Sequence, residues 1–135
     1  MNDAASESGS DLAKCIDTIE SAYEFFLAYA ARGTDGRSEQ QVETGIRGTI
    51  KSAVDAIEGL VEASRAQTAS HPEFAAWIDV VEDDGRKALA ALKLVLAQST
   101  ISSQMVDNLN ASIHLRALLT DLFILDEVMK AAGVH

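Results

Sequence analysis

The sequence predicts an all-α protein, an antiparallel up-down-up-down four-helix bundle, on three observations. Apolar residues recur at spacings of three and four along nearly the whole chain, proline occurs once, at Pro72, and the breaks between periodic stretches are short. Four Phe, two Tyr and one Trp among 135 residues also argue against a strand-rich core.

Residues 1–9 are small, polar and acidic and are expected as a flexible N-terminal tail, with 10–133 forming a single four-helix domain. The first helix is expected over about 10–32, where Leu12, Ile16, Ile19, Tyr23, Phe26 and Ala30 share a face and Gly33 provides the stop. Gly33 to Arg37 reads as a turn. Ser38 with Gln41 three residues later makes a capping box that opens the second helix, 38–69. Its inward set is Val42, Ile46, Ile50, Ala53, Ile57 and Leu60, while Gly45, Gly48 and Gly59 each cost up to about 1 kcal/mol relative to alanine. Close approach of a neighbouring helix is the expected compensation.

Ser70 with Glu73 forms a second capping box, and Pro72 sits in the first turn of the third helix, 71–97, where its missing N–H does no harm. Phe74, Ile78, Val81, Gly85, Ala88, Leu92 and Val95 form its core face, flanked by Trp77, Leu89 and Leu96. The fourth helix is expected over 103–132, opening after Ser102 with Ile101 stapled against Val106 and ending before Gly133. Beyond its seam of Leu115, Leu118, Leu122, Leu125 and Met129, this helix also carries Ile113, Leu119, Phe123 and Ile124. Apolar groups then occupy most of its circumference, so it is expected either to fill the centre of the bundle or to form a homodimer seam.

Charge narrows the partners. With 21 acidic against 11 basic residues, a net charge of −10 disfavours nucleic-acid backbones and anionic membranes and suits a protein partner with a basic surface. Cys15 is the sole cysteine, so no internal disulfide can form, which fits a reducing, cytoplasmic setting. The first ten residues have neither a basic nor an apolar region of a signal peptide. The stretch from Ile113 to Leu125 is too short to span a bilayer and is interrupted by His114, Arg116 and Asp121, so no transmembrane association is expected.

No metal or other cofactor is expected. Metal-binding bundles converge several carboxylates and histidines from facing helices, whereas the three histidines here, His71, His114 and His135, are isolated, and no Cys-x-x-Cys-His exists for haem. Asp107, His114 and Asp121 recur every seven residues, but that spacing covers about 10.5 Å of helix, which reads as a solvated polar stripe. Asp79, Glu82, Asp83 and Asp84 lack the pattern of a calcium loop, and pairing with Arg86 and Lys87 accounts for them. Asp17 and Glu20 near Cys15 are expected to raise its thiol pKa.

Two short strings invite comparison with enzyme families. The run from Ile113 to Thr120 resembles the phospho-acceptor helix of histidine kinases, but His114 lies one place too close to Leu115-Arg116 and Leu118 stands where that family has proline. Arg65 and His71 resemble the Arg-x5-His pair of HEPN ribonucleases, small all-helical dimers, although an RNA substrate needs positive surface and this chain is acidic. Neither outweighs the bundle pattern, and the expected role is non-enzymatic. The chain is expected to act as a protein-binding accessory, regulatory or inhibitory subunit, with Ile113, Leu119, Phe123 and Ile124 at the contact. The alternatives are a small-ligand or pigment-binding bundle with a pocket near Gly45, Gly48, Gly85 and Trp77, and an amphipathic granule-coat protein.

Overall fold

The computed structural model describes the backbone of residues 3–32 and 39–134 and the side chains of 11–31 and 45–134. Among these residues the fold is all helical, with five α-helices: α1 (Asp3–Arg32), α2 (Glu39–Gln67), α3 (Ala75–Leu96), α4 (Ser103–Ala111) and α5 (His114–Ala131). A single 3-10 turn, Pro72–Phe74, leads into α3. The Gly33–Arg37 turn and the side chains of the Ser38–Gln41 box lie outside the described residues.

The 3-and-4 spacing of the first three helices translates into burial at most positions, with Ile16, Tyr23, Ala30 and Val95 half-buried and the Val42 side chain outside the described residues. Leu12, Ile19 and Phe26 of α1, Ile46, Ile50, Ala53, Ile57 and Leu60 of α2, and Ile78, Val81, Gly85, Ala88 and Leu92 of α3 are all buried in one core. α1 packs on α2, α2 on α3, and α3 on α5, while α4 and α5 both lie against α1. Polar ties fix the relative directions. Near the start of α2, Arg47 donates Nη1 to the carbonyl of Leu96, the last residue of α3, at 3.0 Å and Nη2 to the Gln98 carbonyl just beyond it. At the other end of α2, Arg65 reaches Asp79 and Glu82 at 3.0 and 3.4 Å. α2 and α3 therefore run antiparallel. The Tyr29 hydroxyl near the end of α1 donates to the Ile101 carbonyl just before α4, at 3.4 Å.

Several expectations need correction. α1 is helical from Asp3, within the stretch expected as a tail, where Ala4 and Ala5 supply strong helix propensity. The third helix does not start on a Ser70 cap: His71 is the N-cap of the 3-10 turn and makes no side-chain capping bond, and Pro72 starts the turn instead. The glycines of α2 do not share one explanation. A Cβ at Gly48 or Gly59 would meet nothing within 4 Å, and one at Gly45 would sit 3.8 Å from the Phe25 ring. Close helix approach holds at Gly85 of α3, where a Cβ would lie 3.5 Å from Ile57 Cγ2.

The largest departure is in the last quarter. The helix expected over 103–132 is two helices, joined at Ser112 and Ile113. Ser102 caps α4 as expected, its hydroxyl accepting from the Met105 N–H at 3.1 Å, with Ile101 and Val106 both buried beside it. Ten residues later the Ser112 hydroxyl donates to the Leu109 carbonyl at 2.6 Å, and Ile113 turns into the left-handed region with φ 65°. Its carbonyl then accepts from the Ala117 N–H at 2.7 Å, starting α5. A β-branched residue in that conformation costs about 1–2 kcal/mol.

Core phase explains why the chain accepts this cost. In an unbroken helix at about 100° per residue, Val106 and Leu109 would point roughly 140–160° away from Leu122. The break rotates one stripe relative to the other, so that Val106, Leu109, Leu115, Leu118, Leu122, Leu125 and Met129 all reach the same core. α5 closes with a Schellman motif: Gly133, at φ 74°, donates to the Lys130 carbonyl, Val134 donates to the Met129 carbonyl, and both Val134 and Met129 are buried.

Candidate interaction face and the acid pair beside it

Once α5 is set in phase with the core, the four expected contact residues, Ile113 at the joint and Leu119, Phe123 and Ile124 on α5, separate. Leu119, one turn after Leu115 and three residues before Leu122, is only 4% exposed, so it belongs to the core and leaves the contact set. Ile113, Phe123 and Ile124 remain outside at 51%, 46% and 45% exposure, and Val128, overlooked in the sequence, joins them at 47%. Phe123 and Ile124 point about 100° apart, to either side of a line through Thr120 and Glu127, and Val128 follows Ile124 one turn on. The result is a mixed outer face: three large apolar side chains around exposed Arg116, Thr120 and Glu127. A tell-tale for Val128 was available, since it falls four residues after Ile124.

On the edge of α5 that meets α3 lies a second feature. Asp121 is 7% exposed, and its Oδ2 has no hydrogen-bond partner. The Trp77 indole N–H donates to the Asp121 backbone carbonyl at 3.0 Å, holding this turn against α3. Burial, and then the Asp84 carboxyl of α3 alongside, push the Asp121 carboxyl up to about 7. The solvated stripe of Asp107, His114 and Asp121 therefore does not exist. Asp107 is exposed on α4, His114 is the first residue of α5 across the break, and Asp121 faces the protein interior.

The acidic cluster on α3 also divides by partner. Asp83 alone has the local pairing expected, with Arg86 at 3.2 Å and Lys87 at 3.5 Å, which holds its carboxyl below the ordinary range. Asp79 and Glu82 turn instead to Arg65 of α2, and Asp84 turns to Asp121. The sequence gives the charges but not the azimuths that sort them.

Arg65 and His71 do line one small recess of about 170 Å3, with Thr68, Pro72 and Ile78. Within it the Arg65 guanidinium is already held by two carboxylates, while His71 Nδ1 lies 3.7 Å from Glu73 and its ring meets Phe74 edge-on. Gly45, Gly48, Gly85 and Trp77 do not converge. Gly85 packs on Ile57 of α2, whereas Trp77 is tied to α5. The Cys15 thiol is raised, as expected, but by burial first and then by Asp11. Among the described residues no three His, Cys, Asp or Glu side chains are grouped to hold a metal ion, and no helix is long and apolar enough to cross a membrane.

No protein-family model, no curated protein and no solved structure matches this chain.

Proposed function

We propose that this chain is a non-enzymatic, protein-binding helical bundle of the cytoplasm, acting as an accessory, regulatory or inhibitory subunit through the outer face of α5. In this reading α4 and α5 together serve as the fourth rod of an antiparallel up-down-up-down four-helix bundle. The antiparallel ties between α2 and α3, and the contact of Tyr29 with Ile101, support that arrangement.

The observation that carries the function is the outward placement of Phe123, Ile124 and Val128, each nearly half exposed on one helix, after the core has taken every leucine around them. Single exposed apolar residues are ordinary on a soluble protein, whereas a group of large ones on one element marks a contact surface. Its small size suits a transient contact better than an obligate one. The excess of acidic residues would steer a basic partner toward it and raise the association rate, in a manner that salt weakens.

Affinity capture from the native host tests this with wild type, Phe123→Asp and Val128→Asp, each checked by circular dichroism and light scattering. The reading expects a protein retained by wild type and lost by variants with unchanged helicity. A partner held equally by the folded variants contradicts it, as does a bound fraction dominated by nucleic acid.

A further inference from the structure

We propose that Asp84 and Asp121 form a proton-sharing latch between α3 and α5, and that ionising the pair loosens α5, which then pivots about the Ser112–Ile113 break. The latch does not depend on a partner-binding role for α5's outer face.

The geometry supplies each part. Asp121 is more than nine-tenths buried on the α3 edge of α5, its Oδ2 is unpartnered, and the Asp84 carboxyl of α3 lies alongside. Two ionised carboxylates are acceptors only, so their contact is repulsive, and one shared proton converts one of them into a donor. The Trp77 indole grips the Asp121 backbone carbonyl and keeps this turn of α5 at the seam.

Among the described residues, no cation is placed to neutralise the pair. On α3, Arg86 and Lys87 are taken by Asp83, and Glu82 is taken by Arg65 of α2. On α5, Lys130 is paired with Asp126 and Arg116 is exposed. Among the described residues, Asp84 is the charged group that acts on Asp121, with none from α1, α2 or α4.

The folded value of about 7 lies above the unfolded value near 3.9, so the folded protein holds the extra proton between them. The latch is therefore fully closed below about pH 4 and is lost as pH rises through about 7. The hinge is already in place, since Ile113 is held in a strained left-handed conformation where α4 hands over to α5.

Two measurements on the full chain test this: a carboxyl 13C titration of the aspartates, and amide exchange of α5 relative to α2 between about pH 5 and 8.5. We expect one aspartate to titrate near neutrality and α5 protection relative to α2 to fall roughly tenfold or more across that range. Asp84→Asn should move the midpoint to lower pH, and Asp121→Asn should leave α5 protected at every pH. The latch is overturned if every aspartate titrates in the ordinary acidic range, if α5 protection relative to α2 stays flat in wild type, or if Asp121→Asn keeps the fall. Should Asp121→Asn fail to fold, Asp84→Asn decides alone: a lowered midpoint supports the latch and an unchanged one overturns it.

Discussion

α3 and the α4–α5 pair were both expected as single long helices, yet they satisfy the core in different ways. α3 keeps one apolar phase, with Ile78, Val81, Gly85, Ala88 and Leu92 buried along one stripe. α4–α5 carries two stripes nearly opposed in phase and brings them together with one left-handed residue. Periodicity therefore reports burial only within an unbroken helix. Where the backbone breaks, the same counting turns two narrow stripes into one that looks too wide.

The largest effect should come from neighbouring residues on α5 that the sequence alone does not distinguish. Leu122→Ala, at a position with no exposure, should lower the unfolding free energy by about 2–5 kcal/mol, while Phe123→Ala should change it by less than about 1 kcal/mol. Urea denaturation measures both. Equal losses would mean that the outer face of α5 is covered in the folded monomer.

A smaller effect separates the joint from the helices around it. Ile113→Gly should stabilise the protein by about 1 kcal/mol, because glycine adopts φ 65° without the Cβ conflict. Ala90→Gly, at an exposed site inside α3, should destabilise it by a similar ~1 kcal/mol. Thermal melts showing both changes as losses would remove the strain assigned to the joint.

Two serines that look alike in sequence sharpen the comparison further. Ser102→Ala removes a real cap and should cost about 1 kcal/mol, whereas Ser70→Ala should fall within about 0.5 kcal/mol of wild type, since the turn after it is opened by His71 and Pro72 without a side-chain cap. Comparable losses at the two sites would restore the capping box at Ser70.

The pattern of successes follows from which forces are local. Core faces such as Ile46, Ile50, Ala53, Ile57 and Leu60 were legible because burial must repeat with the helix, and the Ser102 cap was legible because its partner lies three residues away. The break at Ile113 was not, because no glycine or proline marks it and its residue is among the poorest for a left-handed turn. Only the weak helix formers Asn108, Asn110 and Ser112 hint at it. Of the four residues expected at a contact, Ile113, Phe123 and Ile124 are exposed outside the seam, while Leu119 is drawn inward by the azimuth it shares with Leu115 and Leu122. Asp121 read as solvated because an aspartate on a heptad normally is, and its burial comes from α3, some forty residues distant in sequence.

One pair of variants tests most directly whether α5 has a core face and a free contact face: Leu119→Asp and Phe123→Asp, one turn apart, compared by circular dichroism melts and by capture of the wild-type partner. The account expects Leu119→Asp to unfold and Phe123→Asp to melt close to wild type while losing the partner. If Phe123→Asp unfolds as Leu119→Asp does, the outer face is structural. If it folds and keeps the partner, that face is not where binding occurs.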